Sequence, residues 1–518
     1  MSGRVFQYNN IEKGSVKTDI CIIGSGCGGA TAAKKLLEKG YRVTILEQGG
    51  FYPTGSFDNH ELNMAGKISG DRNLFTSTDG SFNLLSGNNV GGASVHYWAD
   101  SYRTPDDRLE MWEKKFGMRG HSKSDLAAAF TELDKRLNVH PASDEYMNRM
   151  NLLLRDAAKK LGWHGHRVPQ ARKNCQKSGH CMQGCAFGAK QSQLVTHIQD
   201  FIENGGDLYA DTRAKKLIFD GGKVRALGCV VVDRPSARES EITLEIEAKA
   251  FILAAGGFSS SAFLLSNGLG KDFPALGKFI AMNPSPIVHA LYPEPVIQWR
   301  NIPAGFGIDH FRLPTFKNGE YVEGGYLLMP NQLQPGTLAA LLPGYGKDHF
   351  DLMENMPNLG GTIGWIDDPP EGSIEMDGER KNVIYPVGDL TKKMLRDLIK
   401  KQVIVNFAAG AQKVVVSDLR GTTFTSPDNL EVIDRMEFPG GSFTMACPHP
   451  AGGCRMGTGR ENSVVDMEHR VHGLENLYIA DPSVFPTAVS VDPSYTIMAF
   501  SYIAANCVDA HLKGRGKL

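Results

Sequence analysis

Net charge is what this sequence most lacks. Lys and Arg number 56 against 57 Asp and Glu, leaving a formal charge of -1 at neutral pH, and no basic run breaks the balance. A chain so balanced has no field with which to gather nucleic acid or an anionic membrane surface. Long apolar runs are missing too: none approaches the ~18 residues that cross a bilayer. Residues 1–18 are polar where an export leader would be charged and then apolar. A cytoplasmic protein is therefore expected, unless a partner subunit carries it elsewhere. Cysteine is scarce, an odd nine, and Cys175, Cys181 and Cys185 crowd into eleven residues. That distribution argues against the paired framework of a small secreted domain and points to a metal or reactive role for the cluster. The sequence has no internal repeat and no low-complexity segment. What remains is 518 residues with 41% hydrophobic content, enough for more than one large core.

Residues 18–47 organise the rest. Ile20–Ile23 is an apolar run of the kind buried in a parallel sheet, and 41–46 is a second such strand. Between them Gly24, Gly26 and Gly29 fit G-x-G-x-x-G and lead into a helix carrying Ala30, Ala33, Leu36 and Leu37. Gly24 makes the tight turn, Gly26 lets the backbone approach a pyrophosphate, and Gly29 lets helix and strand close up, with the helix N-terminus facing the phosphates. Glu47, ending the second strand, stands where an acid bonds a ribose hydroxyl. Glycine-rich turns are common by themselves. The strand, turn, helix and strand context, ending in Glu47, makes this one a dinucleotide site.

Over 86–98, Gly91, Gly92 and Ser94 precede His96, Tyr97 and Trp98. Such a stretch suits a backbone passing close to a flat ring system, although the same composition also builds a plain loop. With the first motif, it resembles the glucose-methanol-choline (GMC) flavoprotein oxidoreductases, in which a Gly-Gly-x-Ser loop lies against the isoalloxazine. The resemblance implies FAD as cofactor, with Gly91, Gly92 and Ser94 beside it. His96 matches the position at which some members attach the flavin covalently while others carry an unlinked residue, so both states stay open.

The segment 104–162 reads as helices: Leu126, Phe130, Leu133 and Leu137 share one helical face, and Leu153, Ala157 and Leu161 another. Cys175, Cys181 and Cys185 follow in a glycine-punctuated C-x5-C-x3-C loop. Three thiolates on such a loop can surround an iron-sulfur centre, because soft sulfur suits iron and zinc. The spacing resembles that of the large subunits of bacterial glucose and fructose dehydrogenases in the same superfamily, which implies a [3Fe-4S] cluster on these three cysteines. Ala186 stands where those subunits have proline. A zinc site completed by His180, or an unoccupied structural loop, are the alternatives.

Alternation over 207–232, with a turn at 220–223, predicts a hairpin. Residues 250–257 read as another buried strand ending in small residues. This resembles the family's alanine-glycine strand and implies Ala255 at the cofactor. Between 282 and 440 prolines and glycines recur among short apolar runs, as in a sheet with long connections. There 360–367 and 370–386 read as a hairpin, and 390–405 as a helix. Leu338, Leu341, Leu342, Phe350, Leu352 and Met353 are either plain core or the lining of a pocket for a substrate with a substantial apolar body.

Chemistry gathers near the C-terminus. The run 447–457, containing Pro448, His449, Gly452, Gly453, Cys454 and Arg455, is followed by Asp466 and then by 476–487 with Asp481. The succession resembles the C-terminal signature of the GMC family, so the resemblance spans nearly the whole chain. It implies that His449 faces the flavin and takes the alcohol proton as hydride leaves carbon. Imidazole suits this task because it accepts and releases a proton near neutral pH. His472 falls at no catalytic position of the family and is expected to be structural. The family's second catalytic residue is a histidine or asparagine; here Asp492 and Pro493 stand instead. Asp492 reads as the N-cap and Pro493 as the first residue of the final helix, whose positive end points at the flavin. An ionised Asp492 would oppose that positive end, yet could hydrogen-bond the substrate hydroxyl and share protons with His449 as a coupled pair. Asp481 and Pro493 are also implied at the cofactor.

The expected architecture is α/β: a Rossmann-like FAD-binding domain assembled from 1–110, 190–280 and 441–518, a helical and cysteine-loop insertion at 111–189, and a sheet-based substrate domain at 281–440. The expected reaction is FAD-dependent oxidation of a hydrophobic alcohol, terpenoid, steroid or long-chain. A sugar or polyol dehydrogenase and a flavin electron-transfer subunit are the alternatives. An electron-acceptor subunit or a quinone would take the electrons.

Overall fold

The computed structural model describes residues 3–514; residues 1–2 and 515–518, the outer ends of the expected nucleotide domain, lie outside the described residues. Ile20–Ile23, Val43–Leu46 and Ala250–Leu253 are buried at every position. Strands with no polar face must be covered on both sides, which is the situation of a parallel sheet. They form the middle of a six-stranded sheet in the order Val5–Phe6, Asp207–Tyr209, Val43–Leu46, Ile20–Ile23, Ala250–Leu253, Leu477–Ile479. Every pair in it is parallel. Helix Cys27–Glu38 follows the central strand and buries Ala30, Ala32, Ala33 and Leu36. These small residues let it pack closely on the final helix, Ser494–Leu512. Each fully buried Ile or Leu side chain in this layer stabilises the fold by roughly 1.5–3 kcal/mol.

Beside this sheet, Thr212–Asp220, Lys223–Asp233 and Arg238–Glu247 form an antiparallel meander, to which Gly14–Lys17 adds in parallel. The first turn of the meander carries Gly221 at φ +57, where the alternation predicted it.

The second layer is a seven-stranded sheet running Tyr326–Pro330, Leu359–Ile366, Ser285–Leu291, Lys413–Val416, Thr423–Phe424, with Met445–Cys447 joining Ser285–Leu291 to Phe82–Leu84. Leu359–Ile366 is buried along its whole length between two antiparallel neighbours. This corrects the expectation that 360–367 is half of a hairpin. The hairpin is Ser373–Asp377 with Arg380–Ile384; a run with no polar face belongs inside a sheet, not at its rim. Helix Asp389–Ala408 covers the sheet with Met394, Leu395, Leu398, Ile399 and Val403. Gly364 makes room for it, since a Cβ there would come within 2.5 Å of Leu398 Cδ1.

Three helices occupy the stretch read as helical. Asp106–Phe116 and Lys123–Leu137 lie against the nucleotide side, where Trp112 stacks on Phe485 and Phe130 on Tyr495. Arg149–Leu161 instead packs on Asp389–Ala408. The carboxyl ends of the central parallel strands open onto a cleft, the usual ligand position in an open parallel sheet. Met445–Cys447 leads out of the other sheet directly to His449 at the wall of that cleft. No helix among the described residues is long and apolar enough to cross a membrane.

Candidate active site

The cleft has a volume of about 1330 Å³, and Gly24, Gly26, Glu47, Ala255, Asp481 and Pro493 all stand in its walls. Gly24 sits at φ +105, where a Cβ would meet Ala254 O at 2.2 Å. A Cβ on Gly29 would lie 1.9 Å from Gly24 O, so this glycine closes the helix onto the turn. Gly26 differs: its Cβ would meet no chain atom nearer than Gly92 Cα at 3.9 Å, so the space it leaves belongs to the cleft. Gly28 was missed by the motif. A Cβ there would be 1.7 Å from Ala480 O, which makes it the contact between helix and the last parallel strand. Helix Cys27–Glu38 has no side-chain cap and no acid in its first turn, so its partial positive charge is free for a phosphate.

Glu47 ties this turn together. Ser25 donates to its Oε2 from the backbone N–H at 3.1 Å and from Oγ at 2.7 Å, and the Gly49 N–H donates to Oε1 at 2.9 Å. Burial pushes its carboxyl up and these bonds pull it down, with burial winning. Of the ~4 acceptor sites of a carboxylate, one is left for a ribose hydroxyl. The residues present therefore fit FAD: an uncapped helix end, a glycine whose missing side chain opens the cleft, and an acid with spare acceptor capacity.

The second glycine loop presses on the first. Gly91 and Gly92 lie at φ +100 and +58, and a Cβ on Gly92 would come 2.7 Å from Gly26 Cα. Gly92 lines the cleft, whereas Gly91, Ser94 and His96 are not among its walls. Ser94 Oγ donates to Gly91 O at 2.7 Å and accepts from the Gln193 N–H at 2.9 Å, which locks the loop. His96 is buried; desolvation, then the charge of Lys190, push it down to about 4. Its Nε2 meets no partner among the described residues. Asp481 accepts from Gly256 N–H and Ser483 N–H at 2.9 Å each, and from the Ser260 hydroxyl, so it anchors the loop that carries Ala255.

His449 and Asp492 are brought together. His449 Nε2 stands 3.2 Å from Asp492 Oδ1, and its Nδ1 is 2.8 Å from Asn283 Oδ1. Asn283 donates from its own Nδ2 to Ile366 O at 2.7 Å, which leaves its oxygen to accept from His449 Nδ1–H. Asp368 holds Asn283 in turn, accepting from the backbone N–H groups of Met282 and Asn283 at 2.9 Å. With Nδ1 carrying the hydrogen, Nε2 and Asp492 Oδ1 are two acceptors face to face, so one proton between them satisfies both. The expectation that Asp492 caps the final helix is corrected: Pro493 is the N-cap, without a side-chain bond, and the carboxyl turns to the histidine instead. The Trp365 ring packs 5.8 Å from that of His449 and meets Trp98 edge-on. From Trp365 an apolar cluster extends through Leu327, Met329, Leu338, Leu342 and Leu352. Asn283 and Trp365 were not foreseen from the sequence, where neither stands in a motif. His472 bonds Ser463 at 2.9 Å, away from the cleft.

The [3Fe-4S] expectation for Cys175, Cys181 and Cys185 is corrected. Among the described residues no group of three or more His, Cys, Asp or Glu is arranged to hold a metal, so a zinc site with His180 falls as well. The thiols have separate partners. Cys175 Sγ accepts from Lys177 N–H at 3.5 Å, Cys185 Sγ from Lys190 N–H at 3.4 Å, and Cys181 Sγ from Arg172 Nη1 at 3.4 Å. Beside them Lys190 is buried with its ammonium on the carbonyls of Val95, Tyr97 and Cys181. Two backbone amides and one guanidinium take the three thiols, and the Lys190 ammonium takes carbonyls beside them.

Comparison with known proteins agrees with the geometry. The N-terminal family model of the GMC oxidoreductases matches residues 15–285 and the C-terminal one residues 372–501. A long-chain-alcohol oxidase of Arabidopsis thaliana is 27% identical over 97% of this chain and 68% of its own length. An uncharacterized GMC-type oxidoreductase of Mycobacterium tuberculosis is 26% identical over 96% and 77%. Among solved structures, a formate oxidase variant of Aspergillus oryzae superposes with a TM-score of 0.73 at 15% identity, covering 97% of this chain and 100% of that one. Pyridoxine 4-oxidase from Mesorbium loti gives 0.67 at 16% identity, over 94% and 98%. At those identities the likeness is one of fold.

Proposed function

The chain belongs to the GMC oxidoreductases, FAD-dependent enzymes that act on CH–OH groups, and from that premise we propose that it oxidises an apolar alcohol, with the His449–Asp492 pair as the base. FAD, when bound, supplies the acceptor for the hydride. The protein's own groups do the rest. Asn283 holds the proton on His449 Nδ1, so that Nε2 presents its lone pair beside Asp492 Oδ1, and a substrate hydroxyl reaching this point finds two acceptors for its one hydrogen. The hydroxyl O–H bond breaks toward the pair as the C–H bond gives up its hydride, leaving an aldehyde or ketone.

The observation that carries this reading is the face-to-face placement of Nε2 and Asp492 Oδ1 at the wall of the dinucleotide cleft. An apolar substrate is supported by the Trp365 indole 5.8 Å from the His449 ring and by the long-chain-alcohol oxidase among the relatives. An indole beside the base offers an apolar contact, where a sugar would need hydroxyl partners. The test is anaerobic flavin bleaching by a homologous series of primary alcohols. Each added methylene that binding removes from water should raise kcat/KM by about fourfold, the equivalent of ~0.8 kcal/mol. Faster bleaching by glucose or glycerol than by any long-chain alcohol would refute the assignment.

A further inference from the structure

The wall of the dinucleotide cleft carries a lysine that forms no ion pair among the described residues. Lys381 is half-buried there, beside Phe75, Ser259 and Val383. Its ammonium donates to Ser259 Oγ at 3.3 Å and lies 4.7 Å from the centre of the Phe75 ring. Both contacts are to neutral groups, and an ammonium with one acceptor has donors to spare. We propose that Lys381 binds the diphosphate of FAD, adding a full charge to the backbone cradle of Gly24, Gly26 and the end of helix Cys27–Glu38.

The hairpin that carries the lysine fixes its position. Ser373–Asp377 and Arg380–Ile384 pair along their whole length, with Lys381 opposite Met376. Ile374 and Val383 bury the hairpin's apolar side chains. Val383 lies two residues from Lys381, so the two side chains leave the strand on the same face. Backbone bonds hold the hairpin at both strands. Val383 O accepts from the Thr78 N–H at 2.8 Å and from Thr78 Oγ1 at 2.9 Å, and the Ile374 N–H donates to Gly277 O at 2.7 Å. At the turn, Glu379 meets Lys215 of the antiparallel meander at 2.8 Å. An ammonium held on so well anchored a strand is a fixed part of the cleft wall.

The other cations of the wall are differently placed. Arg213 and Lys215 pair with Glu239, and Lys215 with Glu379 as well. Arg380, at the hairpin turn, is exposed. Around Lys381 the balance is tipped toward a missing anion: burial pushes its ammonium down to about 8, and the more distant Asp71 pulls it up only in part. A dinucleotide filling the cleft displaces water from this ammonium, and one hydroxyl and one aromatic face do not make up for a lost hydration shell. A diphosphate does, because it brings negative charge and oxygen acceptors together, and lysine meets phosphate as a point charge. The glycine turn offers backbone N–H groups and the partial charge of a helix end. Lys381 supplies the whole charge that this cradle lacks.

Two measurements on the full chain test this, and neither depends on turnover or on the base assigned above. In the holoenzyme, 31P NMR reads the diphosphate directly, and Lys381→Gln should move its resonances. In the chain depleted of flavin during expression, fluorescence titration gives affinities. There Lys381→Gln should weaken FAD and ADP by roughly 10- to 150-fold and leave riboflavin, which has no phosphate, within twofold. The riboflavin arm also reports that the cleft is intact. Lys381→Arg, which keeps the charge, should recover most of the FAD affinity. An unmoved 31P spectrum, or a loss that falls equally on FAD and riboflavin, would overturn the assignment. Unchanged FAD binding, with a loss confined to alcohols that carry a carboxylate, would overturn it in favour of a substrate anion.

Discussion

Replacing Asp492 by asparagine removes one charge and one acceptor from the pair and little else. The carboxyl caps nothing, its Oδ2 has no partner among the described residues, and its Oδ1 meets His449 Nε2 at 3.2 Å. In the variant the amide N–H would donate to the Nε2 lone pair, occupying the atom that must take the substrate proton. Both side chains are mostly shielded from water, so losing a charge-assisted bond here costs ~1.5–3 kcal/mol, or roughly 10- to 150-fold in kcat/KM. Anaerobic stopped-flow bleaching by a long-chain alcohol measures the loss. A kcat/KM within twofold of the unaltered protein would sink the shared base and leave Asp492 as packing.

Asn283→Leu should cost kcat/KM about 10- to 100-fold with a smaller change in KM, because the Nδ1–H of His449 loses its acceptor; equal kcat at saturating alcohol would refute this. Gly26→Val should yield folded protein with little bound flavin, as its side chain enters the cleft, whereas Gly24→Ala, at φ +105 and 2.2 Å from Ala254 O, should fail to accumulate in soluble form; the ratio of flavin to protein absorbance decides. Five histidines, His96, His121, His197, His289 and His469, are pushed down by burial to between about 3 and about 4. Folded pKa values below the unfolded one, ~6.5, mean that stability is intact above that pH and is lost as pH falls below it, by up to ~1.4 kcal/mol per pH unit per histidine. Urea midpoints should fall steeply from pH 6.5 to 5, and flat midpoints would contradict the buried neutral state.

The sequence by itself determined whatever depends on neighbours in the chain. Gly24 and Gly29 announce a turn that only glycine can make, and the fully apolar Ile20–Ile23 announces a strand covered on both faces. His449 stands inside a contiguous pattern, so its place at the cofactor cleft was legible before any coordinates. Where a residue's partner lies far along the chain, only the tertiary structure decided. Asn283 reaches His449 across 166 positions, and Trp365 arrives on a strand whose burial no local period distinguishes from a hairpin arm. Asp492 carries the local signal of a cap, but its side chain has one carboxyl to give, and the approach of His449 turned it from the helix end to the imidazole. The cysteine loop is the same case with the opposite result. Its spacing allows three thiols to converge, but Arg172 and Lys190, buried beside them, give Cys181 and Cys185 other partners. Spacing sets what a loop can bind, and packing sets what it faces.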